Sequence, residues 1–355
     1  MIRRLGYILL AIQAVVFARH GFAMDGFSPM AVVFIEGFDH LTSAQMTAKG
    51  WSLSFGSTAA GRFDGQCARL SSTGVHTHVL PSNYATIFAG FAYNVAALSS
   101  GTDFFQFMAG ATLTCRVSVN ASSIIQVRNS GGTVIATGTT ALVNGAWNYI
   151  EVKLFVNGAS GTVEVHLNGA TEIASTAGNF GSSNIDTIGV NGSSAVHSWD
   201  DMYCCDTSGS SPRNTFLGDV RVETIFPTGA GNHTQWTPNG AASNWDCVDE
   251  NPPDGDTSYV SDATVGHLDS YVFGDIDAGA TVYGVQVNLY SRKDDAATRQ
   301  IANLIRQAST DYAGSTVTLS STYAFYSQIF NQDPTPADWT AANVNADEFG
   351  IKEIA

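Results

Sequence analysis

The sequence predicts an all-β protein: two antiparallel β-sandwich domains in tandem, jelly-roll-like, with short helices only. Three observations carry this expectation. Many short segments alternate apolar and polar residues with period two. Gly, Asn and Ser turn residues close them. No stretch between them keeps a helical period for three turns, as a βαβ arrangement would require.

Residues 1–30 read as a separate leading segment. Arg3 and Arg4 precede the apolar run Leu5–Phe17, and its roughly 13 residues fall short of the ~20 that span a bilayer. The pattern fits a secretory leader with Gly21-Phe22-Ala23 as cleavage site. It also fits a later start at Met24 or Met30, or an apolar arm that docks on a neighbouring subunit. These alternatives stay open at the level of sequence.

Residues 31–206 form the first predicted sandwich. Ala31–Phe38 is a buried-strand run ending at glycine. Phe104–Met108, Thr112–Val119, Ile124–Arg128 and Thr133–Thr137 follow as strands, with Asn129-Ser130-Gly131-Gly132 as the turn between the last two. Period two is clearest in 147–156. Trp147, Tyr149, Glu151 and Lys153 share one face; Ile150, Val152 and Leu154 share the other. The strand 162–167 alternates too, and Asn168-Gly169 then turns the chain. Ile185–Val190 and Ser198–Cys204 complete the set.

The Ser/Gly/Pro-rich stretch 207–214 reads as a linker. Residues 215–355 form the second predicted sandwich. Its expected strands are 219–226, 258–260, 270–273, 281–290, 300–306, 315–319 and 351–354. One short helix is expected at 340–348, opened by Asp338 or Thr340. No internal repeat or heptad pattern is present, which excludes a coiled-coil stalk.

Composition narrows the function classes. A chain of 355 residues is long for one core and suits two domains plus an arm. Lys+Arg number 16 against 31 Asp+Glu, a net charge of −15, so there is no basic face to neutralise nucleic-acid phosphates. Only 13% of residues are charged, against about 25% in globular proteins. The surface is therefore expected to be wetted by hydroxyls and amides. Cys67, Cys115, Cys204, Cys205 and Cys247 are odd in number and lack zinc spacing. They read as reduced thiols acting as small core hydrophobes.

Two blocks resemble known families. The pieces Phe34-Ile35-Glu36-Gly37-Phe38-Asp39, 145–153, 165–169 and Trp199-Asp200-Asp201-Met202-Tyr203 are similar to the laminin-G/concanavalin A-like jelly-roll family. That resemblance implies that the Trp-x-Tyr-x-Glu strand sits at the core of one sheet and that the Asp-Asp pair opens the last strand. The pieces 216–223, Gln235-Trp236-Thr237-Pro238, 255–260, Asp338-Trp339-Thr340 and 348–352 resemble the C-terminal part of structural proteins of tailed bacteriophages. The combination implies a virion protein: a tail, fibre or head-surface (capsid decoration) component.

Asp200 and Asp201 are a calcium candidate, but neighbours on a strand point to opposite faces, so one is expected to order a turn and the other to be solvated. His76 and His78 share a strand face. Some phage spikes carry such His-x-His pairs on a three-fold axis, where imidazole holds iron; a solvent-facing polar pair is the alternative. Trp236, Trp245 and Tyr259 are a sugar-stacking candidate, with Asn232, His233, Gln235 and Asn244 as hydrogen-bonding neighbours. Asp254, Asp256, Asp294 and Asp295 read as solvated loop acids. With no nucleophile elbow, zinc-protease motif or P-loop in the chain, no enzyme and no cofactor are expected.

The function expected from the sequence is a structural virion component, packing through sandwich surfaces into a symmetric homo-oligomeric assembly. Its expected partners are other virion proteins and copies of itself, with a host-surface glycan as a further candidate; nucleic acid and a membrane span are excluded. The alternative is a carbohydrate-binding adhesin or receptor-binding protein, phage-borne or secreted. The expected location is the virion, assembled in the host cytoplasm, with secretion as the alternative.

Overall fold

The computed structural model describes residues 10–17, 32–52, 57–97, 101–193, 195–209 and 211–355. The protein is nearly all β, as expected. Among the described residues the only α-helix is Ala341–Ala346, joined by two 3-10 turns at Ser43–Gln45 and Trp245–Cys247. The chain divides into two compact units. One comprises residues 28–38 and 42–221; the other comprises 222–355 with 39–41 and 1–27.

The first unit is a sandwich of two antiparallel sheets. The smaller runs, edge to edge, Val134–Ala141, Ile124–Asn129, Thr112–Val119, Asp103–Ala109, Ile185–Gly192 and Gly74–Tyr84. The larger runs Ala170–Gly178, Gly161–Leu167, Asn148–Phe155, Thr86–Val95, His197–Cys205, Gln66–Leu70 and Ser57–Ala60, and Val32–Glu36 also pairs with His197–Cys205. Asn168 and Gly169 both take positive φ, 50° and 79°, the conformation a two-residue hairpin turn demands.

Register fixes the core. Ile150, Val152 and Leu154 lie opposite Phe91, Ala89 and Ile87, and all six are buried. Phe91 stacks on Phe105 with centroids 4.5 Å apart, and Tyr93 stacks on Phe104 at the same distance, closing the space between the sheets. The opposite face of the larger sheet is partly covered. Tyr149 and Glu151 are buried on it beneath the stretch that ends at Arg221. Phe216 lies against Phe88 and His166, with centroids 5.3 and 4.0 Å apart.

The second unit stacks a five-stranded sheet with a four-stranded one. The first runs Pro227–Thr234, Leu268–Phe273, Glu348–Glu353, Gln300–Gln307 and Thr310–Thr318; the second runs Arg221–Ile225, Leu10–Phe17, Thr281–Ser291 and Ala324–Phe330. Thr237–Asn239 and Tyr259–Ser261 form a separate pair. Val285, Val287, Leu289, Tyr271, Phe273, Ile301, Ile305, Phe349 and Ile351 belong to one buried cluster. The helix is shorter than expected, and it is Thr340 that caps it, its Oγ1 accepting from the Asn343 N–H at 3.1 Å.

Leu10–Phe17, read from the sequence as leader or arm, forms a strand antiparallel to Thr281–Ser291, with Leu10 opposite Leu289 and Phe17 opposite Thr281. Gly21, Phe22, Ala23, Met24 and Met30 lie outside the described residues. All five cysteines are buried free thiols.

Three edge strands share one device. Glu172, from the edge of the larger sheet, accepts the N–H groups of Thr139 and Thr140 on the edge of the smaller one. Gln328 Oε1 accepts the Ser315 N–H at 2.8 Å. Glu348 Oε2 accepts the Asn232 N–H at 2.7 Å. A glycine precedes each amide (Gly138, Gly314, Gly231), and a Cβ there would collide with the same Glu or Gln side chain. Each of these amides lies at a break in its strand's register with the neighbouring strand, so the side chain takes up N–H groups that the bulge frees from the ladder, and a bulge on an edge strand hinders strand addition.

Candidate functional site at the rim of the first sandwich

The Asp200-Asp201 pair leads to the most elaborate polar cluster of the first unit. Strand His197–Cys205 loses register against Thr86–Val95 between Asp200 and Tyr203, and Asp201 takes φ 49°. The left-handed residue defeats the alternation expected from sequence. Both aspartates are buried, at 4% and 3% exposure, so neither is the solvated group expected. They converge on Arg62. Asp200 Oδ2 accepts the Arg62 N–H at 2.7 Å, and Asp201 Oδ2 faces the guanidinium at 3.4 Å.

Arg62 sits in the turn Gly61–Gly65. Its guanidinium also pairs with Asp219 and donates to the Val220 carbonyl at 3.2 Å. It lies 5.0 Å from the Tyr149 ring centroid, and the Tyr149 hydroxyl donates to the Asp201 carbonyl at 3.1 Å. Burial works against the Arg62 charge, but the Asp219 hydrogen bond and the charges of Asp219 and Asp201 outweigh it and raise its pKa. Gly61 is required, because a Cβ there would lie 2.5 Å from the Asp64 carbonyl oxygen and 2.9 Å from Asp200 Oδ2.

A second polar group adjoins it. Glu151 Oε1 accepts from the Tyr203 hydroxyl at 2.5 Å and from the Gly218 N–H at 2.7 Å, and the Leu217 N–H donates to the Tyr203 oxygen at 3.0 Å. Burial raises the Glu151 pKa, against the two hydrogen bonds and His166, which lower it. Glu151 Oε2 is buried with no hydrogen-bond partner among the described residues. The Trp-x-Tyr-x-Glu strand thus does sit centrally in its sheet, and its acid anchors the chain that covers that sheet's outer face.

The histidine pair is placed differently from both expectations. His76 is buried and His78 half-buried. The His78 ring packs 4.8 Å from Phe34 and 5.4 Å from Trp51, and its Nε2 lies 3.2 Å from the Lys49 carbonyl oxygen. Burial holds its pKa down at about 4, so it is neutral at physiological pH. Trp51 and His78 are joined by an isolated antiparallel bridge. Among the described residues no three His, Cys, Asp or Glu converge to hold a metal ion.

The expected sugar platform does not form. Trp236 and Tyr259 are buried, at 3% and 5% exposure, and Trp236 belongs to the second unit's core, against which the half-buried Trp245 packs. Asn244 explains the inward turn: its Nδ2 donates to the Trp236 carbonyl at 2.8 Å and to Asp269 at 2.7 Å. Gln235 Oε1 accepts the Leu268 N–H, Asn232 is bound to Glu348, and His233 pairs with Asp311. The loop acids are separately engaged. Asp256 pairs with Arg292 and Tyr323, Asp254 accepts from Ser258, and Asp295 pairs with Arg299, while Asp294 is exposed.

Sequence reasoning missed Arg62 and Phe63. Phe63 is 59% exposed, and among the described residues no other Phe, Tyr or Trp is classed as exposed. The only sequence signal is an Arg-Phe-Asp triplet between two glycines. Its meaning depends on an aspartate 138 residues away.

No protein-family model and no curated protein matches the sequence. Among solved structures, the chain is similar to domain 4 of a GH43 extracellular arabinanase from Geobacillus stearothermophilus, in complex with arabinotriose. The identity is 14% and the TM-score 0.36, over 52% of this chain and 96% of that one. It is also similar to the catalytic domain of a glycoside hydrolase family 131 protein from Coprinopsis cinerea, at 10% identity and TM-score 0.34, over 53% and 98%. The expectation of no enzyme is corrected on this finding: both neighbours are glycoside hydrolase domains, one of them catalytic, and the exclusion of an enzyme is withdrawn.

Proposed function

We propose that the chain is a structural component of a tailed-phage particle, located in the virion and contacting copies of itself and other virion proteins. The observation that carries this reading is that three edge strands are bulged, each bulge being filled by Glu172, Gln328 or Glu348. Copies held at high local concentration need their edges blocked against strand addition, so that association runs through sandwich faces and loops with defined symmetry. The order of the motifs resembling phage structural proteins supports the same reading. Among the described residues no helix is long and apolar enough to cross a membrane. Quantitative mass spectrometry of purified particles tests it: a fixed, stoichiometric copy number is expected, and absence from the particle refutes it.

A second reading, a carbohydrate-binding adhesin, is favoured by one observation, the exposed Phe63 within the charged rim. Binding of the purified chain to immobilised host-surface polysaccharide is its test, and no binding above a denatured control refutes it.

A further inference from the structure

We propose that the turn Gly61–Gly65, with Arg221 and Asp219, is a binding site for a neutral saccharide, Phe63 serving as the stacking surface. The inference rests on the carbohydrate-binding reading and gives it a location and a ligand class.

A pyranose presents an apolar C–H face bordered by hydroxyls. Its recognition calls for one aromatic surface with donors and acceptors around it. Phe63 supplies the surface. The guanidinium carbons of Arg62 and Arg221 lie 4.7 and 5.4 Å from its ring centroid. Arg221 pairs with Asp64 at 2.7 Å, and the Asp64 and Asp219 side chains are 68% and 42% exposed. Both guanidinium groups lie over the ring as cation–π partners, and the exposed carboxylates paired with them, Asp64 and Asp219, are acceptors for hydroxyls.

The turn is rigid. The Gly61 N–H donates to the Gly65 carbonyl at 3.2 Å, and Arg62 is held by Asp200, Asp201, Asp219 and the Val220 carbonyl. Burying two aspartates and an arginine is costly. In this fold that cost positions one exposed ring, and a preorganised site loses little entropy on binding.

The surroundings select the ligand. A protein hot spot is ringed by contacts that exclude water, whereas the residues around Phe63 are charged. An anionic sugar would meet Asp64 and Asp219, which disfavour it.

The experiment uses the full chain and its Phe63→Ala and Phe63→Tyr variants on an array of immobilised gluco-, galacto- and manno-oligosaccharides and their uronate counterparts. The wild type is expected to bind a neutral member. Phe63→Ala weakens that binding about tenfold with an unchanged melting temperature, and Phe63→Tyr stays within about threefold. Wild-type binding that survives Phe63→Ala overturns the site and leaves the carbohydrate reading standing; absence of any binding overturns both. Preference for uronates overturns the neutral ligand class. Loss of self-association in Phe63→Ala, with glycan binding intact, makes Phe63 a protein contact and overturns the proposal.

Discussion

Replacing Arg62 by alanine is the sharpest test of how the rim of the first sandwich is held. The Arg62 side chain is 12% exposed and Asp201's is 4%. The substitution removes the guanidinium from Asp201 and from the Val220 carbonyl, while the main-chain bond to Asp200 remains. The Asp219 contact contributes little, because that carboxylate is 42% exposed and water can replace its partner. The dominant loss is a buried carboxylate deprived of its cation, worth about 3–5 kcal/mol. For a unit of this size each kcal/mol moves the melting temperature by about 2–4 °C, so the first unit's transition should fall by about 6–20 °C. Differential scanning calorimetry reads this directly, with Trp236→Ala identifying the second unit's transition. Adding Asp201→Asn to Arg62→Ala should recover part of the loss, because the buried charge that the guanidinium faced is gone. A shift below about 2 °C for Arg62→Ala would mean that Asp201 does not depend on the guanidinium, and the account of the rim would fail.

Trp236→Ala should destabilise the second unit by about 3–5 kcal/mol, as a large core truncation does; a loss under about 1 kcal/mol in urea unfolding would contradict its core placement. Burial pushes the carboxyls of Asp269, Asp347 and Glu353 up to about 7. Carboxyls raised in this way stabilise the fold fully below their unfolded values of about 4, and that contribution is lost as pH rises through 7. The second unit should therefore melt higher at pH 5 than at pH 8, and Glu353→Gln should reduce the difference; a flat profile in the wild type refutes the assignment. Glu172→Ala and Gln328→Ala should each cause concentration-dependent association in light scattering. Monodisperse variants at high concentration would show that those edges need no cover.

The sequence carried most of what local chemistry decides. Thr112–Val119 was legible residue for residue, the 147–156 pattern placed the core and outer faces correctly, and Asn168-Gly169 marked its turn. Thr86–Val95 was missed because both of its faces are covered, which leaves an apolar run without alternation. Ala170–Gly178 and Pro227–Thr234 were missed because edge strands of Thr, Ala, Ser and Gly carry no hydrophobic period. The candidate site failed for two other reasons. An aromatic residue has the same identity whether it fills a core or faces a ligand, and only the distant partners of Trp236 and Phe63 distinguish them. The Asp200-Asp201 argument assumed an unbroken strand, and one residue with positive φ was enough to bring both acids onto one arginine.

Glu172 and Gln328 each reach their strand from the sheet that faces it. These bonds tie one layer to the other, so parting the layers breaks them and opens the hydrophobic interior together. Sticky backbone and sticky core are then released in one event. Local fraying by itself should create no near-native species ready to recruit a neighbour, so the tendency to aggregate should follow global unfolding.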